Sequence, residues 1–335
     1  MIEMKNCIQD FIQRQYPRGA ELTLELTEMN QGWETELKKL NIKYKLGKEY
    51  RQTSHVMRIY ADSEGAKKAK KEYHVMRQLK KIGYPVPEVY LIESTGKVIG
   101  KPFITMEYID GKTFTSNTKG EKREATSITM MKLLVRLHEI NPLLLYPDID
   151  LPTTHESVKK YTKYHQLYYQ KTEKTFLIPA INWVEERSPE IKEYRPCLIH
   201  GDYHANNLLL RKNGKIVVLD WGAAKIGDPR EDLSWTILLH SIYDEPKVGT
   251  NLLEAYRKIS KNPVENIDFF MVTSIIRRLL DLLISLHSGS HTLGMRKETI
   301  ELMRSDQQHY LRAYDMLKEI TGLELEELNN FLNTL

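Results

Sequence analysis

Residues 197–234 read CLIHGDYHANNLLLRKNGKIVVLDWGAAKIGDPREDLS, and the pattern of this stretch indicates the fold of the chain. It contains two short apolar runs, Leu208–Leu210 and Ile216–Leu219, separated by the pair Asn213 and Gly214. An Asn-Gly pair between two β-type runs is a strong local hairpin signal, because both residues accept the positive φ angles of a tight turn. The stretch therefore predicts a β-hairpin.

Three polar side chains stand at the ends of these two runs. Asp202 and Asn207 flank the loop that enters the first run, and Asp220 follows the second. We expect the two carboxylates and the amide to converge on one point above a small sheet. Oxygen ligands of this kind suit Mg²⁺ that is bound together with substrate phosphates. The alternative is a solvated hairpin with incidental acidic residues.

The sequence HGDYHANN, followed by LDWG, resembles the aminoglycoside phosphotransferase family, which has the protein-kinase-like fold. Choline, homoserine and methylthioribose kinases are relatives in that fold. The family pattern is His-Gly-Asp, four residues, Asn, and then a strand that ends in Asp-aromatic-Gly, and every position is met here. The resemblance implies that Asp202 is the catalytic base and that Asn207 and Asp220 are magnesium ligands.

Residues near Asp202, Asn207 and Asp220 are expected to support the loop rather than to take part in catalysis. We interpret His200 as a structural organiser of the loop and His204 as a hydrogen-bonding residue rather than a catalyst. Asp228 precedes Pro229, which is typical of a helix start with a side-chain cap. The resemblance implies that Asp232 turns back to hydrogen-bond the backbone of the catalytic loop.

Length and charge set the broad class of the protein. The chain has 335 residues, of which 41% are hydrophobic and 28% charged, as in ordinary globular proteins. Its length indicates two domains or lobes. The net charge of +4, from 49 basic and 45 acidic residues, is too small and too dispersed to favour a nucleic-acid partner.

Cysteine usage and hydropathy predict the compartment. Cys7 and Cys197 are the two cysteines, so neither a disulfide framework nor a zinc motif is expected. The most apolar stretch, FFMVTSIIRRLLDLLISL, is interrupted by Arg277, Arg278 and Asp281, which favours a core helix over a membrane span. The amino terminus lacks the apolar segment of a signal peptide. We therefore expect a soluble, cytoplasmic protein without a membrane partner.

Hydrophobic periodicity predicts an α+β protein with two lobes, and the resemblance implies that its fold is the bilobal, protein-kinase-like one. Residues 1–108 are predicted to form a small nucleotide-binding lobe, with an antiparallel sheet and a Lys-rich helix over 64–82. Residues 109–120 are predicted to form the hinge and linker. Residues 121–335 are predicted to form a larger, mostly helical lobe with the catalytic loop 200–207 and the substrate pocket. The last helix is predicted over 297–320.

Two charges in the small lobe lie on apolar patterns. Glu72 shares one helical face with Ala69, Met76 and Leu79, and Arg58 stands inside the apolar strand SHVMRIYAD. An unpaired buried charge is costly, so we predict that Arg58 and Glu72 pair. In kinases a strand Lys and a helix Glu form this pair and the Lys holds the nucleotide phosphates. The alternative is two surface residues whose aliphatic stems are buried.

The nucleotide base is expected at FITMEYIDG, which resembles the family's hinge. Main-chain groups of Glu107 and Ile109 would hold the base, and Met106 would guard the back of the pocket or belong to the core. No protein-kinase glycine-rich loop is present. Gly32 marks the first turn, and the loop near Asn30–Thr35 is expected to cover the phosphates or to be an ordinary hairpin turn.

Two features point to a small acceptor. Gly201 replaces the arginine with which protein kinases engage a phosphorylated activation loop. Seven residues separate Asp220 from Asp228, which leaves no room for a peptide-binding segment. Residues 155–175 hold five lysines and two glutamates, and this weakly disfavours a polycationic aminoglycoside.

We therefore predict an ATP- or GTP-dependent, Mg²⁺-requiring phosphotransferase whose partners are the nucleotide and a small-molecule hydroxyl acceptor. The acceptor is an antibiotic, such as an aminoglycoside or macrolide, or a metabolite, as in homoserine, choline or sugar kinases. The alternatives are a pseudokinase-like, nucleotide-binding regulatory module and a kinase of proteins.

Overall fold

A computed structural model describes residues 2–15, 21–29, 35–60, 64–114, 122–170, 174–244, 246–290 and 299–335. The chain divides into two compact units, one of residues 1–112 with 209–222 and one of residues 113–208 with 223–335. Residues 209–222 were predicted to lie in the large lobe. The hairpin in this segment instead groups with the first unit, and its first strand pairs with β6 (Gly111–Thr113) in a three-stranded sheet.

The first unit contains a five-stranded antiparallel sheet in the order β1-β2-β3-β5-β4. Its strands are β1 (Glu21–Met29), β2 (Glu36–Leu46), β3 (Glu49–Ile59), β4 (Val89–Glu93) and β5 (Phe103–Glu107). Because side chains alternate along a strand, one face of the sheet is apolar. Helix α1 (Ile2–Gln13) packs on that face, in a core that includes Ile8, Ile12, Leu22, Leu24, Leu40, Ile42, Met57 and Ile59.

Helix α2 (Gly65–Lys81) is the Lys-rich helix predicted from the sequence. Its buried stripe contains Ala69, Glu72, Val75, Met76 and Leu79, so the predicted face with an inward carboxylate is confirmed. The helix ends before Gly83, whose φ of 78° is in the left-handed region that favours glycine.

The predicted hairpin is confirmed as β8 (Leu208–Arg211) and β9 (Ile216–Val218), and the three-stranded sheet has the order β6-β8-β9. Gly214 has a φ of 78° in the connecting turn. Its amide donates to the carbonyl oxygen of Arg211 at 3.0 Å. The amide of Val218 donates to the carbonyl oxygen of Pro85 at 2.8 Å.

The second unit is mostly helical and contains one small two-stranded sheet, in which β7 (Cys197–Ile199) pairs with β10 (Lys225–Gly227). Its helices are α3 (Lys122–His138), α4 (Thr154–Tyr169), α5 (Ile178–Arg187), α6 (Pro229–Tyr243), α7 (Pro246–Ile259), α8 (Ile267–Ser288), α9 (Thr299–Ser305), α10 (Gln307–Thr321) and α11 (Glu326–Asn333). Helix α8 is buried along most of its length because Val272, Ile275, Ile276 and Leu279 pack in the core.

The prediction of one helix over 297–320 was wrong, since α9 and α10 are separate helices. The break falls at Asp306, whose carboxylate accepts a hydrogen bond from Tyr243 Oη at 3.2 Å. Its amide is shared between the carbonyl oxygens of Leu302 and Met303, at 3.1 and 3.2 Å. Such a shared bond tightens the turn and ends the regular α-helical pattern.

Helix α6 begins as the sequence predicted. Asp228 is its N-cap, and a capping box joins Asp228 and Glu231, with Pro229 in the first turn. Within the described residues, no helix is long and apolar enough to cross a bilayer. Two predicted features, the loop near Gly32 and residues 115–120 of the linker, lie outside the described residues.

Candidate active site

Arg58 is the centre of a buried ion-pair cluster in the first unit. It lies on β3, with Met57 and Ile59 on the opposite, apolar face. Its Nη1 is 3.3 Å from Glu72 Oε1, and its Nη2 is 2.8 Å from Asp220 Oδ1. The predicted Arg58–Glu72 pair is therefore confirmed, and Asp220 is a third member that the sequence analysis did not anticipate.

The charges of this cluster depend on one another. The side chains of Arg58 and Glu72 are 7% and 1% exposed, so neither ion is solvated. Burial alone would lower the pKa of Arg58, but the carboxylates of Asp220 and Glu72 raise it above its usual value. Burial raises the pKa of Glu72 against the opposing effect of Arg58. Tyr60 Oη donates a hydrogen bond to Glu72 Oε2 at 2.7 Å.

Asp220 lies two residues after the end of β9 and has an unusual backbone conformation, with a φ of 62°. Aspartate is one of the few residues other than glycine that adopt this region. A Cβ on the nearby Gly222 would lie 3.3 Å from Arg58 Nη2, so the Asp-aromatic-Gly motif keeps space for the guanidinium. The Asp220 side chain is 41% exposed, and within the described residues its Oδ2 has no partner.

The predicted hinge residues lie at the end of β5. The amide of Glu107 donates to the carbonyl oxygen of Glu88 at 2.8 Å, and its carboxylate pairs with Arg211 at 2.8 Å. These bonds leave the Glu107 carbonyl oxygen and the Ile109 amide as the candidate groups for a nucleotide base. Met106 is 8% exposed, so it belongs to the core in this structure.

Asp202 lies in the second unit, in the loop between β7 and the 3₁₀ turn Ala205–Asn207. Its Oδ1 accepts a hydrogen bond from Trp235 Nε1 at 2.8 Å. Its Oδ2 is 3.3 Å from Asn207 Nδ2 and 3.4 Å from His204 Nε2. Burial alone would raise the pKa of Asp202, but His204, Arg277 and Trp235 hold it well below its usual range.

Asn207, at the end of the predicted catalytic loop, contacts Asp202 and His204 earlier in the same loop. Its Nδ2 donates to the carbonyl oxygen of Asp202 at 2.9 Å and also lies 3.1 Å from His204 Nε2. Because the amide nitrogen faces the carbonyl oxygen and carboxylate of Asp202, the amide oxygen is directed away from them. The predicted hydrogen-bonding role of His204 agrees with these contacts.

Asp232 supports the same loop from α6. Its two carboxylate oxygens accept hydrogen bonds from the amides of His200 and Gly201, each at 2.6 Å. His138 Nε2 lies 3.2 Å from Asp232 Oδ2. Burial alone would raise the pKa of Asp232, but His138 and His200 lower it. The contact between Asp232 and the loop backbone that the resemblance implied is therefore present.

His200 and Gly201 give the loop its shape. His200 is fully buried, and its Nδ1 accepts a hydrogen bond from the Asp202 amide at 3.3 Å. Gly201 has a φ of 80°, and a Cβ at this position would lie 2.8 Å from the carbonyl oxygen of Ala223. Glycine is therefore required before Asp202 for steric reasons, besides any effect on acceptor choice.

Two residues of the site were missed by the sequence analysis. Trp235 on α6 donates to Asp202, and Arg277 on α8 donates from Nη1 to the carbonyl oxygen of Gly201 at 2.9 Å. Arg277 was noted only as an interruption of an apolar run. Its position in an otherwise buried helix was the available signal, because a partly buried guanidinium still needs partners.

The residues fit a magnesium ion by the chemistry of their donor atoms. The Asn207 amide oxygen and Asp220 Oδ2 are both oxygen donors without an intramolecular partner in the described residues. These residues contain no cluster of three His, Cys, Asp or Glu that would hold a metal alone. Magnesium is commonly bound by one or two carboxylates together with substrate phosphates, and each of these two oxygens is of the type that magnesium prefers.

The structure thus brings Arg58, Glu72 and Asp220 together in the first unit and Asp202 with Asn207 in the second. Residues 40–265 match the phosphotransferase enzyme family (APH). The chain belongs to this family. Membership in this family and the similarity to solved structures confirm the predicted kinase-like fold.

Curated proteins with similar sequences match only part of this chain. Acyl-CoA dehydrogenase family member 10 of Mus musculus is 27% identical over 242 residues, which are 62% of this chain and 22% of that protein. The chain spans about a fifth of the length of the curated relatives it matches.

Two solved structures share the fold of this phosphotransferase. A thermostable mutant of aminoglycoside phosphotransferase APH(4)-Ia, in a ternary complex with ADP and hygromycin B, is 14% identical with a TM-score of 0.61. That match covers 93% of this chain and 98% of the other. Ethanolamine kinase of Plasmodium vivax is 14% identical with a TM-score of 0.59, over 89% of this chain and 83% of the other.

Proposed function

We propose that this protein transfers the γ-phosphate of ATP or GTP to a hydroxyl group of a small molecule, with Asp202 as the base. The fixed carboxylate of Asp202 is the observation that carries this proposal. One oxygen is bound by Trp235, and the second lies near Asn207 and His204. A carboxylate held in this way can orient an acceptor hydroxyl and take its proton during transfer.

The first unit supplies the candidate groups for the nucleotide. Arg58 is a buried cation whose guanidinium can bind phosphate oxygens with two nitrogens. The carbonyl of Glu107 and the amide of Ile109 are proposed to hold the base. The neighbour in complex with ADP supports a nucleotide donor. Glu72 would keep Arg58 in place through the ion pair at 3.3 Å.

Asn207 and Asp220 are proposed to hold magnesium through their oxygen atoms. When bound, magnesium neutralises charge on the phosphates during transfer. Asp220 also contacts Arg58, so binding of magnesium and of the phosphates would depend on the same pair of residues. Removal of either oxygen donor should weaken magnesium binding.

A small acceptor is favoured by the short connection after Asp220. Strand β10 occupies Lys225–Gly227, so three of the seven residues between Asp220 and Asp228 pair with β7, and α6 begins directly afterwards at Pro229. Both candidate acceptor classes occur among the structural neighbours, since hygromycin B is bound by one and the other is an ethanolamine kinase. We propose an antibiotic or a metabolite as the acceptor, in a cytoplasmic protein.

The test is a measurement of ATP and GTP consumption with magnesium against aminoglycosides, macrolides, amino alcohols and sugars. We expect one acceptor to become phosphorylated, and Asp202→Ala to lower turnover by about 10²–10⁴-fold, the scale of a general base. Asp148→Ala, in an exposed turn, is the matched control. Full turnover by Asp202→Ala would refute the role of Asp202.

The same measurement separates the rival functions. Nucleotide binding without transfer to any acceptor would favour a regulatory module that resembles a pseudokinase. Labelling of protein acceptors would instead favour a protein kinase. The intact set of Asp202, Asn207 and Asp220 argues against the regulatory module, and the short connection between Asp220 and Asp228 argues against the protein kinase.

A further inference from the structure

The apolar helix α8 carries charges that the proposed catalytic steps do not use, and Arg277 is the one that contacts the catalytic loop. Its Nη1 donates to the carbonyl oxygen of Gly201, the residue before Asp202, at 2.9 Å. Its guanidinium carbon lies 3.8 Å from the centroid of the Trp235 ring. A guanidinium at this distance over an indole forms a cation–π contact and restrains the ring.

The Trp235 side chain lies between Arg277 and the carboxylate of Asp202. Its ring faces the guanidinium, while its Nε1 donates to Asp202 Oδ1 at 2.8 Å. Trp235 is 5% exposed, so water competes weakly for this hydrogen bond. Trp235 also follows Asp232 on α6, and Asp232 holds the amides of His200 and Gly201.

These contacts restrain different parts of the loop. Asp232 and Arg277 bind its backbone, whereas Trp235 binds the side chain of Asp202. Rotation of a carboxylate group about its last side-chain torsion angle has only a weak preference for particular angles. A charge-assisted hydrogen bond to one oxygen selects one orientation. With Oδ1 bound to the indole, Oδ2 faces Asn207 and His204 and is the oxygen assigned to the acceptor hydroxyl.

We propose that Trp235 and Arg277 are positioning residues that fix the orientation of the Asp202 carboxylate for phosphoryl transfer. This inference rests on the proposed function, since it assumes that Asp202 is the base. Arg277 acts through Trp235 and Gly201, and neither Trp235 nor Arg277 needs to touch the nucleotide. Their loss should therefore lower kcat and leave the KM for nucleotide unchanged.

A second tryptophan–arginine stack provides a matched control. The guanidinium carbon of Arg187 lies 4.3 Å from the centroid of the Trp183 ring on α5. Arg187 also donates to the carbonyl oxygen of Trp183. This pair has the same stacking chemistry, and its indole does not bind Asp202. Substitution of the Trp183–Arg187 pair therefore measures the effect on activity of losing a stack that does not contact the catalytic loop.

The kinetic experiment uses Trp235→Phe, which keeps an aromatic ring under Arg277 and removes the N–H donor. We expect kcat to fall about 10- to 100-fold, because small misplacements of a catalytic group have effects of this size. Trp235→His, which restores a ring N–H, should recover part of the loss. Arg277→Met should also lower kcat, and the paired control Trp183→Phe with Arg187→Met should keep kcat and KM.

A spectroscopic measurement tests the contact without an acceptor. The chain has four tryptophans, so ¹⁵N labelling gives four indole N–H signals, and Trp235→Phe assigns the relevant one. We expect Asp202→Ala to shift the Trp235 signal and to leave the Trp183 signal in place. An unchanged Trp235 signal would overturn the inference, and this result does not require that the Trp235 variants are active.

The outcomes separate this inference from the proposed function. If the unaltered protein phosphorylates an acceptor and Trp235→Phe is equally active, the positioning role is overturned and the proposed function stands. If the unaltered protein transfers phosphate to no acceptor, both are overturned. If kcat falls, KM for nucleotide is kept and the indole signal responds to Asp202→Ala, the positioning role is supported.

Discussion

Arg58 and Asp220 form an ion pair in which Nη2 and Oδ1 are 2.8 Å apart, and the same guanidinium reaches Glu72 through Nη1. An ammonium group has a single nitrogen and cannot bind two carboxylates with separate donor atoms in this way. Arginine at this position therefore connects β3, α2 and Asp220, which follows β9, within one unit.

Removal of the guanidinium should strongly destabilise the protein. Arg58→Met leaves Glu72 buried without its ion pair, and breaking a buried pair costs about 3–5 kcal/mol. Urea denaturation measures this loss in the free energy of unfolding. Arg51→Met, on the same strand, removes an ion pair with Glu49 whose side chains are 64% and 68% exposed. It should change stability by less than about 1 kcal/mol. Equal losses for the two variants would contradict the argument.

Asp232→Asn should weaken the catalytic loop as well as the fold. The carboxylate accepts from the amides of His200 and Gly201, and an amide side chain replaces one of these acceptors with a donor. Hydrogen bonds to charged groups contribute about 1.5–3 kcal/mol each, so we expect a loss within or above that range. Thermal and urea unfolding measure it. The exposed Asp150→Asn is the control, and similar stability of both variants would refute the expected role.

A substitution of Gly201 should have a larger effect than one of Gly214. Both have a positive φ, 80° and 78°, so alanine at either is strained by about 1–2 kcal/mol. A Cβ at Gly201 would also lie 2.8 Å from the carbonyl oxygen of Ala223, whereas at Gly214 it meets open space. Gly201→Ala should therefore lose more stability than Gly214→Ala. Denaturation of the pair under identical conditions checks this order.

The stability of the first unit should fall between neutral and acidic pH because of His55. Burial lowers the pKa of His55 from 6.5 to about 4, and its ring stacks on Tyr90 with centroids 4.2 Å apart. The unfolded chain binds the proton more readily, so the stabilisation is complete above pH 6.5 and is lost as the pH falls toward 4. The loss is at most about 3 kcal/mol, from 1.36 kcal/mol per pKa unit.

His55→Phe removes this titration and keeps an aromatic ring beside Tyr90. Unfolding by urea at pH 7, 6 and 5 should then show a smaller decrease in stability than the unaltered protein shows. An equal decrease in both proteins would assign the pH dependence to other groups, such as the carboxylates that titrate at lower pH.

Local patterns in the sequence were sufficient for many elements of the fold. The Asn-Gly turn predicted β8 and β9, and the helical spacing of Glu72 predicted its inward position on α2. The Arg58–Glu72 pair followed because both charges stood on apolar patterns. The helix break at Asp306 was missed, since it depends on a hydrogen bond from Tyr243, which is distant in sequence.

The parts of the site that were missed depend on contacts between distant residues. Asp220 was assigned to metal binding by its motif, and no local pattern indicated its ion pair with Arg58. Trp235 and Asp202 are 33 residues apart, and Arg277 and Gly201 are 76 residues apart. The burial argument that paired Arg58 is weaker for the partly buried Arg277, and it does not specify which carbonyl or ring becomes the partner.

The discontinuity of the first unit limits how this protein can exchange parts with its relatives. Arg58 and Glu72 lie in residues 1–112, whereas Asp220 lies in residues 209–222, within the stretch that encodes mostly the other unit. A recombination event that replaces only the first segment would take the cation at position 58 from one parent. Asp220 and Gly222 would come from the other parent, in which they pack beside a different cation. Chimaeras that keep this ion-pair cluster must therefore inherit both segments from the same parent.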